Sequence, residues 1–247
     1  MALVCAMIVV NEPLTVVSGQ SARDSSSEKI NVLLVTGGHG FATNGFLQVF
    51  KENPEIRFTH ADHGKMGASV YDRDDLLKYD VVVLYDMPKT ISDEQKKKFL
   101  SLFEKGIGLV VLHHALVSYQ HWPDYERIIG GRYPEADGKS GVVSSEVGYE
   151  HDVDMPVTIL AKDHPITAGL KDFVIHDEIY WGFRVGADVT PIITTTHPKS
   201  GKPLAWTRTE GKSRVFYLQL GHGPSAYTNS NFRTLVAQGI RWAKTRK

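Results

Sequence analysis

The sequence has a single cysteine, Cys5, in 247 residues. That excludes a disulfide scaffold and a cysteine-ligated zinc site, and it leaves the chain beyond residue 5 without a thiol nucleophile. The sequence also lacks a charge excess: 28 Lys and Arg balance 28 Asp and Glu. No basic field is present to recruit nucleic acid. It has no apolar run of the roughly 20 residues needed to cross a bilayer. No His-Glu-x-x-His pair gives a metal site a fixed spacing. What the chain does have is 42% hydrophobic residues, enough for one sizeable core at a length short for two domains.

The first 28 residues differ from the rest. Ala2 to Val10 is apolar, Gly19-Gln20-Ser21-Ala22 is small, and Arg23 to Lys29 is polar and serine-rich. This resembles a secretory signal peptide and linker. Two features depart from that pattern: no Lys or Arg precedes the apolar run, and the cleavage site is not small-x-small. The expectation leans to export (periplasmic or secreted), with a cytoplasmic protein carrying a tail or a mis-assigned start as the alternative. Residues 29–247 are expected to form a single domain.

Val32 to Val35, Val81 to Leu84 and Leu109 to Leu112 are unbroken aliphatic runs. Strands without alternation are buried on both faces, as in a parallel sheet covered by helices. A shorter strand fits Ile56 to His60. A helix fits Thr43 to Lys51, and one or two turns fit Asp74 to Lys78. Ser92 and Gln95 make a capping-box pattern, and Gly106 marks a helix end. Phe232, Leu235, Val236, Gly239, Ile240 and Ala243 share one helical face. These elements predict an α/β fold of the flavodoxin-like, doubly wound kind, mostly parallel, with helices on both faces. Val157 to Leu160, Ile192 to Thr194 and Val215 to Leu218 add strands in the second half, some of them in an antiparallel excursion.

Ligands of open α/β sheets bind beyond the carboxyl ends of the strands. The residues just past each strand are therefore informative. Gly37-Gly38-His39-Gly40 comes after the first, Asp86 after the third, His113-His114 after the fourth, and Gly221-His222-Gly223 after the run ending at Leu220. Three strands thus place histidine at one edge. The glycine turn lacks the dinucleotide spacing and a following Lys-Ser/Thr pair, so a tight turn aiming His39 inward is favoured over a phosphate cradle. His114 and His39 are the leading acid/base or ligand candidates, with His113 at the elbow as second choice. Asp177 and Glu178 alternate on a strand, so one could reach the site while the other is solvated. Either could orient an imidazole or take its proton. Gly38, Asp86, Tyr119, His121, Trp122, Tyr180 and Trp181 are candidate substrate contacts. The aromatic ones suit stacking on a sugar and ordinary packing equally. His39, His114 and His222, with a carboxylate, would also suit a divalent metal such as zinc. His151, His164 and His197 are expected to be structural, and Lys96-Lys97-Lys98 a solvated helix face.

Several of these segments together resemble the ThuA-like (trehalose utilisation) family. They are Gly37-Gly38-His39, His113-His114-Ala115, Trp122-Pro123-Asp124-Tyr125, Gly130-Gly131, His164 to Leu170, Asp177 to Tyr180, and Gly211 to Tyr217 with Leu220-Gly221-His222. The resemblance covers about Lys29 to Lys247. It implies a class I glutamine-amidotransferase-like fold in which His113-His114-Ala115 stands where that chemistry needs a nucleophile. It also implies a role in carbohydrate catabolism, with a functional link to oxidoreductases that make 3-keto sugars. The function expected is an enzyme acting on a disaccharide or 3-keto-glycoside, by His/carboxylate acid–base or metal-assisted chemistry. The alternative is a non-catalytic sugar-binding or regulatory module.

Overall fold

The computed structural model describes Met1 and residues 28–135 and 145–244. The leader-like segment and Cys5 lie outside the described residues. In chain order the elements are β1 (Ile30–Gly37), α1 (Thr43–Lys51), β2 (Ile56–Asp62), β3 (Val81–Asp86), α2 (Asp93–Glu104) and β4 (Gly108–Leu112). Next come α3 (Pro123–Ile129), β5 (Gly131–Arg132), β6 (Gly148–Ile159), β7 (Phe173–Trp181) and β8 (Arg184–Val185). The chain continues through β9 (Thr190–Thr195), β10 (Ala205–Glu210), β11 (Ser213–Leu218), α4 (Pro224–Thr228) and α5 (Ser230–Ala243).

One nine-stranded sheet runs β2-β1-β3-β4-β11-β10-β9-β6-β7. Its first five strands are parallel, in the flavodoxin-like order with β11 as the fifth. The aliphatic runs are buried on both faces, as their lack of alternation implies. Val32, Leu34, Val81, Val83, Val110 and Leu112 enter one core with α1 and α5. Their neighbours Leu33, Val35, Val82, Leu84, Leu109 and Val111 enter the other, with α2 and α3. Each such side chain contributes about 1.5–3 kcal/mol by leaving water.

The Ser92–Gln95 capping box forms and starts α2. The β2-to-β3 crossover holds only short 3-10 turns, Ser69–Asp72 and Leu76–Lys78, because Asp72-Arg73-Asp74-Asp75 offers no apolar stripe. α5 buries the six residues expected of its face. Gly239 lets it approach β11, since a Cβ there would lie 2.4 Å from the Phe216 ring.

The remaining strands form the antiparallel excursion, through β10, β9, β6 and β7. This part of the sheet curls. β7 is the far edge strand, yet its Tyr180 and Glu178 side chains meet His113 at the end of β4. The edge strand therefore returns over the carboxyl ends of the parallel ones.

Candidate functional site

β1, β4 and β11 each deliver a histidine through a backbone turn. Gly38, at φ +76°, lies so close to the Met87 carbonyl that a Cβ would sit 2.4 Å from its oxygen. Its role is the turn that places His39. His113 opens a short 3-10 turn (His113–Val117) at φ +50°, a left-handed conformation that costs a side-chain-bearing residue about 1–2 kcal/mol. Surrounding bonds hold it there. The Tyr217 hydroxyl donates to the His113 carbonyl at 3.2 Å, and His113 Nδ1 lies 2.6 Å from the Gln219 carbonyl. A carbonyl only accepts, so Nδ1 carries the proton and Nε2 faces the site. Gly221, at φ +115°, turns the chain after β11, where a Cβ would lie 2.7 Å from the Phe232 ring.

His113, Glu178 and His222 converge. His113 Nε2 is 2.8 Å from Glu178 Oε2 and 3.2 Å from His222 Nδ1. His222 Nδ1 is 3.0 Å from the same Glu178 oxygen. The Tyr180 hydroxyl lies 2.9 Å from His113 Nε2, and His151 Nδ1 lies 3.2 Å from Glu178 Oε1. Asp177 supports the group from behind. Its carboxylate accepts from the backbone N–H of Gly221 at 2.7 Å, of His222 at 2.9 Å and of Glu178 at 2.9 Å. Asp177 and Glu178 do point apart, but both are buried. The curl of β7 leaves neither solvated, contrary to the expectation from alternation.

A cavity of about 250 Å³ opens on this cluster, lined by His39, His114, Tyr133, His151, Glu178 and His222 among others. A second recess of about 430 Å³ shares His151 and His222. A larger groove, about 870 Å³, lies by the β10–β11 turn and α5, and its described lining holds no histidine or carboxylate. Size alone does not mark the site.

The charges are sorted by environment. Burial acts to raise the Glu178 carboxyl, but its contacts with the His113 and His222 side chains outweigh it and hold it well below the usual carboxylate range. The Glu178 carboxylate in turn raises His222. Burial, then the nearby His113, lowers His39. The same causes lower His114 further. Burial raises Asp177 and, with the Glu178 charge, pushes the Tyr180 phenol well above its ordinary value. His39 therefore presents a neutral ring at the mouth, stacked on His114 at 4.5 Å.

The structure arranges the histidines differently from the sequence expectation. The metal-type trio is His113, Glu178 and His222, in place of His39, His114 and His222. His114 is buried, with neither ring nitrogen hydrogen-bonded, and its ring packs on Tyr85 at 4.3 Å. The left-handed elbow sends His113 to the cluster and leaves His114 above Tyr85. Tyr119 and Trp122 lie in the α2–α3 core beside Phe99 and Tyr125, away from the cavity. Asp86 is buried against His63, with Nε2 to Oδ2 at 3.3 Å. His121 is exposed ahead of α3, outside the cavity's described lining. Trp181 packs against the α1–α5 core. Tyr180 reaches the site. His151, expected from the sequence to be structural, stands at the cavity against Glu178. It sits where β6 slips register between Glu150 and Val153, and a bulge inside a strand carries no turn signature to reveal it.

Comparison with known proteins agrees with this architecture. The family model for trehalose utilisation, ThuA, matches residues 15–243. No curated protein matches the chain in sequence. Among solved structures, a ThuA-like protein from Parabacteroides merdae is similar with a TM-score of 0.75 and 21% identity, over 88% of this chain and 90% of that one. A ThuA-like protein from Bacteroides uniformis has a TM-score of 0.66 and 19% identity, over 91% and 95%. A β-galactosidase from Rahnella sp. R3 has a TM-score of 0.57 and 12% identity, over 89% of this chain and 32% of that one. At these identities the likeness shows the fold.

Proposed function

The chain belongs to the ThuA family of trehalose utilisation, and from that premise we propose that it is an enzyme acting on a disaccharide or its 3-keto derivative. The family gives the carbohydrate-related role. The chemistry is supported by one observation: the His39 imidazole lines the same small cavity as Glu178 and His222, and His113 backs them on the Glu178 carboxylate.

In a 3-keto-glycoside the carbon between the ketone and the anomeric centre bears an acidified proton. His39 takes that proton, and the enolate forms with its oxygen toward the cluster. Delivering the proton to the former ketone carbon, as the proton of the neighbouring hydroxyl passes to the old ketone oxygen, moves the ketone one carbon along and isomerises the sugar. Giving it to the glycosidic oxygen, as the enolate collapses and the C–O bond breaks, eliminates the second sugar. One base can therefore serve either outcome. An oxidoreductase that makes 3-keto sugars would supply the substrate.

The test is NMR of trehalose, sucrose and their 3-keto derivatives with the protein in D2O. Deuterium should enter at the carbon beside the ketone, or the disaccharide should split. His39→Asn should slow this about 100-fold to 10,000-fold, the usual weight of a general base. His39 is exposed, so the fold should tolerate the change. Sugar binding without exchange or cleavage would instead favour the binding module. Undiminished rates in His39→Asn would remove His39 from the chemistry.

A further inference from the structure

We infer that His113, Glu178 and His222 form a binding site for one divalent first-row transition cation. The inference deepens the reading of this cavity as a sugar site, but it stands on geometry alone. The three ligand atoms are 2.8, 3.0 and 3.2 Å apart. Metal–nitrogen and metal–oxygen bonds of about 2.0–2.2 Å place the ligands of one ion about 3–3.5 Å apart, close to the separations these side chains already have. Two imidazoles and one carboxylate suit a transition ion rather than calcium or magnesium, which prefer all-oxygen sites.

Proton accounting points the same way. Glu178 Oε2, His222 Nδ1 and the Tyr180 hydroxyl all lie within 3.2 Å of one atom, His113 Nε2. With Nδ1 committed to the Gln219 carbonyl, that nitrogen has one lone pair or one proton, and neither satisfies all three neighbours. A cation at the point of convergence takes the imidazole lone pairs and the carboxylate together. The outer contacts are those of a built metal site. The Nδ1–H to carbonyl bond fixes the His113 tautomer, and Asp177 pins the backbone that carries His222. His151, on the second carboxylate oxygen, keeps Glu178 from rotating. The open positions face the cavity lined by His39, Tyr133 and His151, where a ketone and a neighbouring hydroxyl could chelate the ion.

The test uses the full chain, stripped with chelator and titrated with CoCl2 by calorimetry and visible absorption. One Co2+ per chain is expected, with visible bands that appear on binding and saturate at one equivalent. His222→Ala and Glu178→Gln should each weaken binding about 100-fold or more, at or beyond the upper end of what losing a mere outer contact costs. Melting curves of both variants establish that they fold. His222 sits half-buried on a loop, so it decides the matter if Glu178→Gln does not fold. No stoichiometric binding, or unchanged affinity in His222→Ala, would overturn the inference. Failure to bind cobalt, with full turnover by the stripped protein, would overturn the metal site while leaving the sugar reading intact. Stoichiometric cobalt without chemistry on any sugar would uphold the metal site and overturn the enzyme reading.

Discussion

Replacing Asp177 with Asn tests whether the loop after β11 is held by one buried carboxylate. Three backbone N–H groups converge on it, those of Glu178 and His222 on Oδ1 and that of Gly221 on Oδ2 at 2.7 Å. Asn keeps the Oδ1 contacts but sets an NH2 against the Gly221 N–H, donor against donor. A hydrogen bond to a charged group contributes about 1.5–3 kcal/mol, and a buried donor left unpaired costs about 1–3 kcal/mol. The two terms overlap, and about 3 kcal/mol is the expected loss. For a domain of this size 1 kcal/mol moves Tm by about 2–4 °C, so the variant should melt roughly 6–12 °C lower by circular dichroism. The function should suffer beyond that. His222 rides on the same backbone, and misplacement of a working group by about 1 Å costs roughly 100-fold in rate. The deficit should persist well below the melting temperature. A Tm within about 1 °C of the wild type would refute the reasoning, because the three donors would then have other acceptors or water.

Two further outcomes test the supports around the site. Glu126 accepts from Arg132 at 2.7 Å and from Arg184 at 3.0 Å. Burial acts to raise its carboxyl, and the two guanidinium groups outweigh that and lower it. A lowered carboxyl stabilises the fold above its unfolded-state range and loses that contribution as pH falls through the folded value. Glu126→Gln should therefore cost about 1 kcal/mol near pH 7, since the pair is partly solvated. The gap in Tm should narrow as pH falls from 5 toward 3, and a gap independent of pH would mean that packing, not charge, is lost. The loss stays small because buried Arg132 also donates to the Gln120 and Trp122 carbonyls at 2.7 and 2.9 Å. His114→Leu should leave Tm unchanged or raise it, because both buried ring nitrogens lack a hydrogen-bond partner and such groups cost about 1–3 kcal/mol. A fall of more than about 5 °C in a melting curve would show that the ring has a partner.

The fold was legible because its signals are local. Unbroken runs such as Val81 to Leu84 report burial on two faces, and Ser92 with Gln95 reports a helix start, whatever the rest of the chain does. The edge that carries His39, His113 and His222 follows from those runs and from the rule that ligands gather at carboxyl ends. The arrangement within that edge rests on single dihedrals and long-range returns. His113 and His114 are equivalent as letters, and only φ +50° at His113 separates the ring that meets Glu178 from the ring that packs on Tyr85. Glu178 comes from β7, four strands away from β11 in the sheet order, and reaches His113 only because the antiparallel half curls over. His151 is aimed by a slipped register in β6 beside Asp152 at φ +57°. Tyr119 and Trp122 failed as cavity residues for a related reason. An aromatic residue past a strand end has two faces of the sheet to choose from, and Phe99 and Tyr125 already form the aromatic wall on the far one. Side-chain chemistry therefore names the kind of site, while backbone curvature selects its members. A variant that relaxes the elbow or the β6 bulge should disturb the cluster more than many substitutions that touch it.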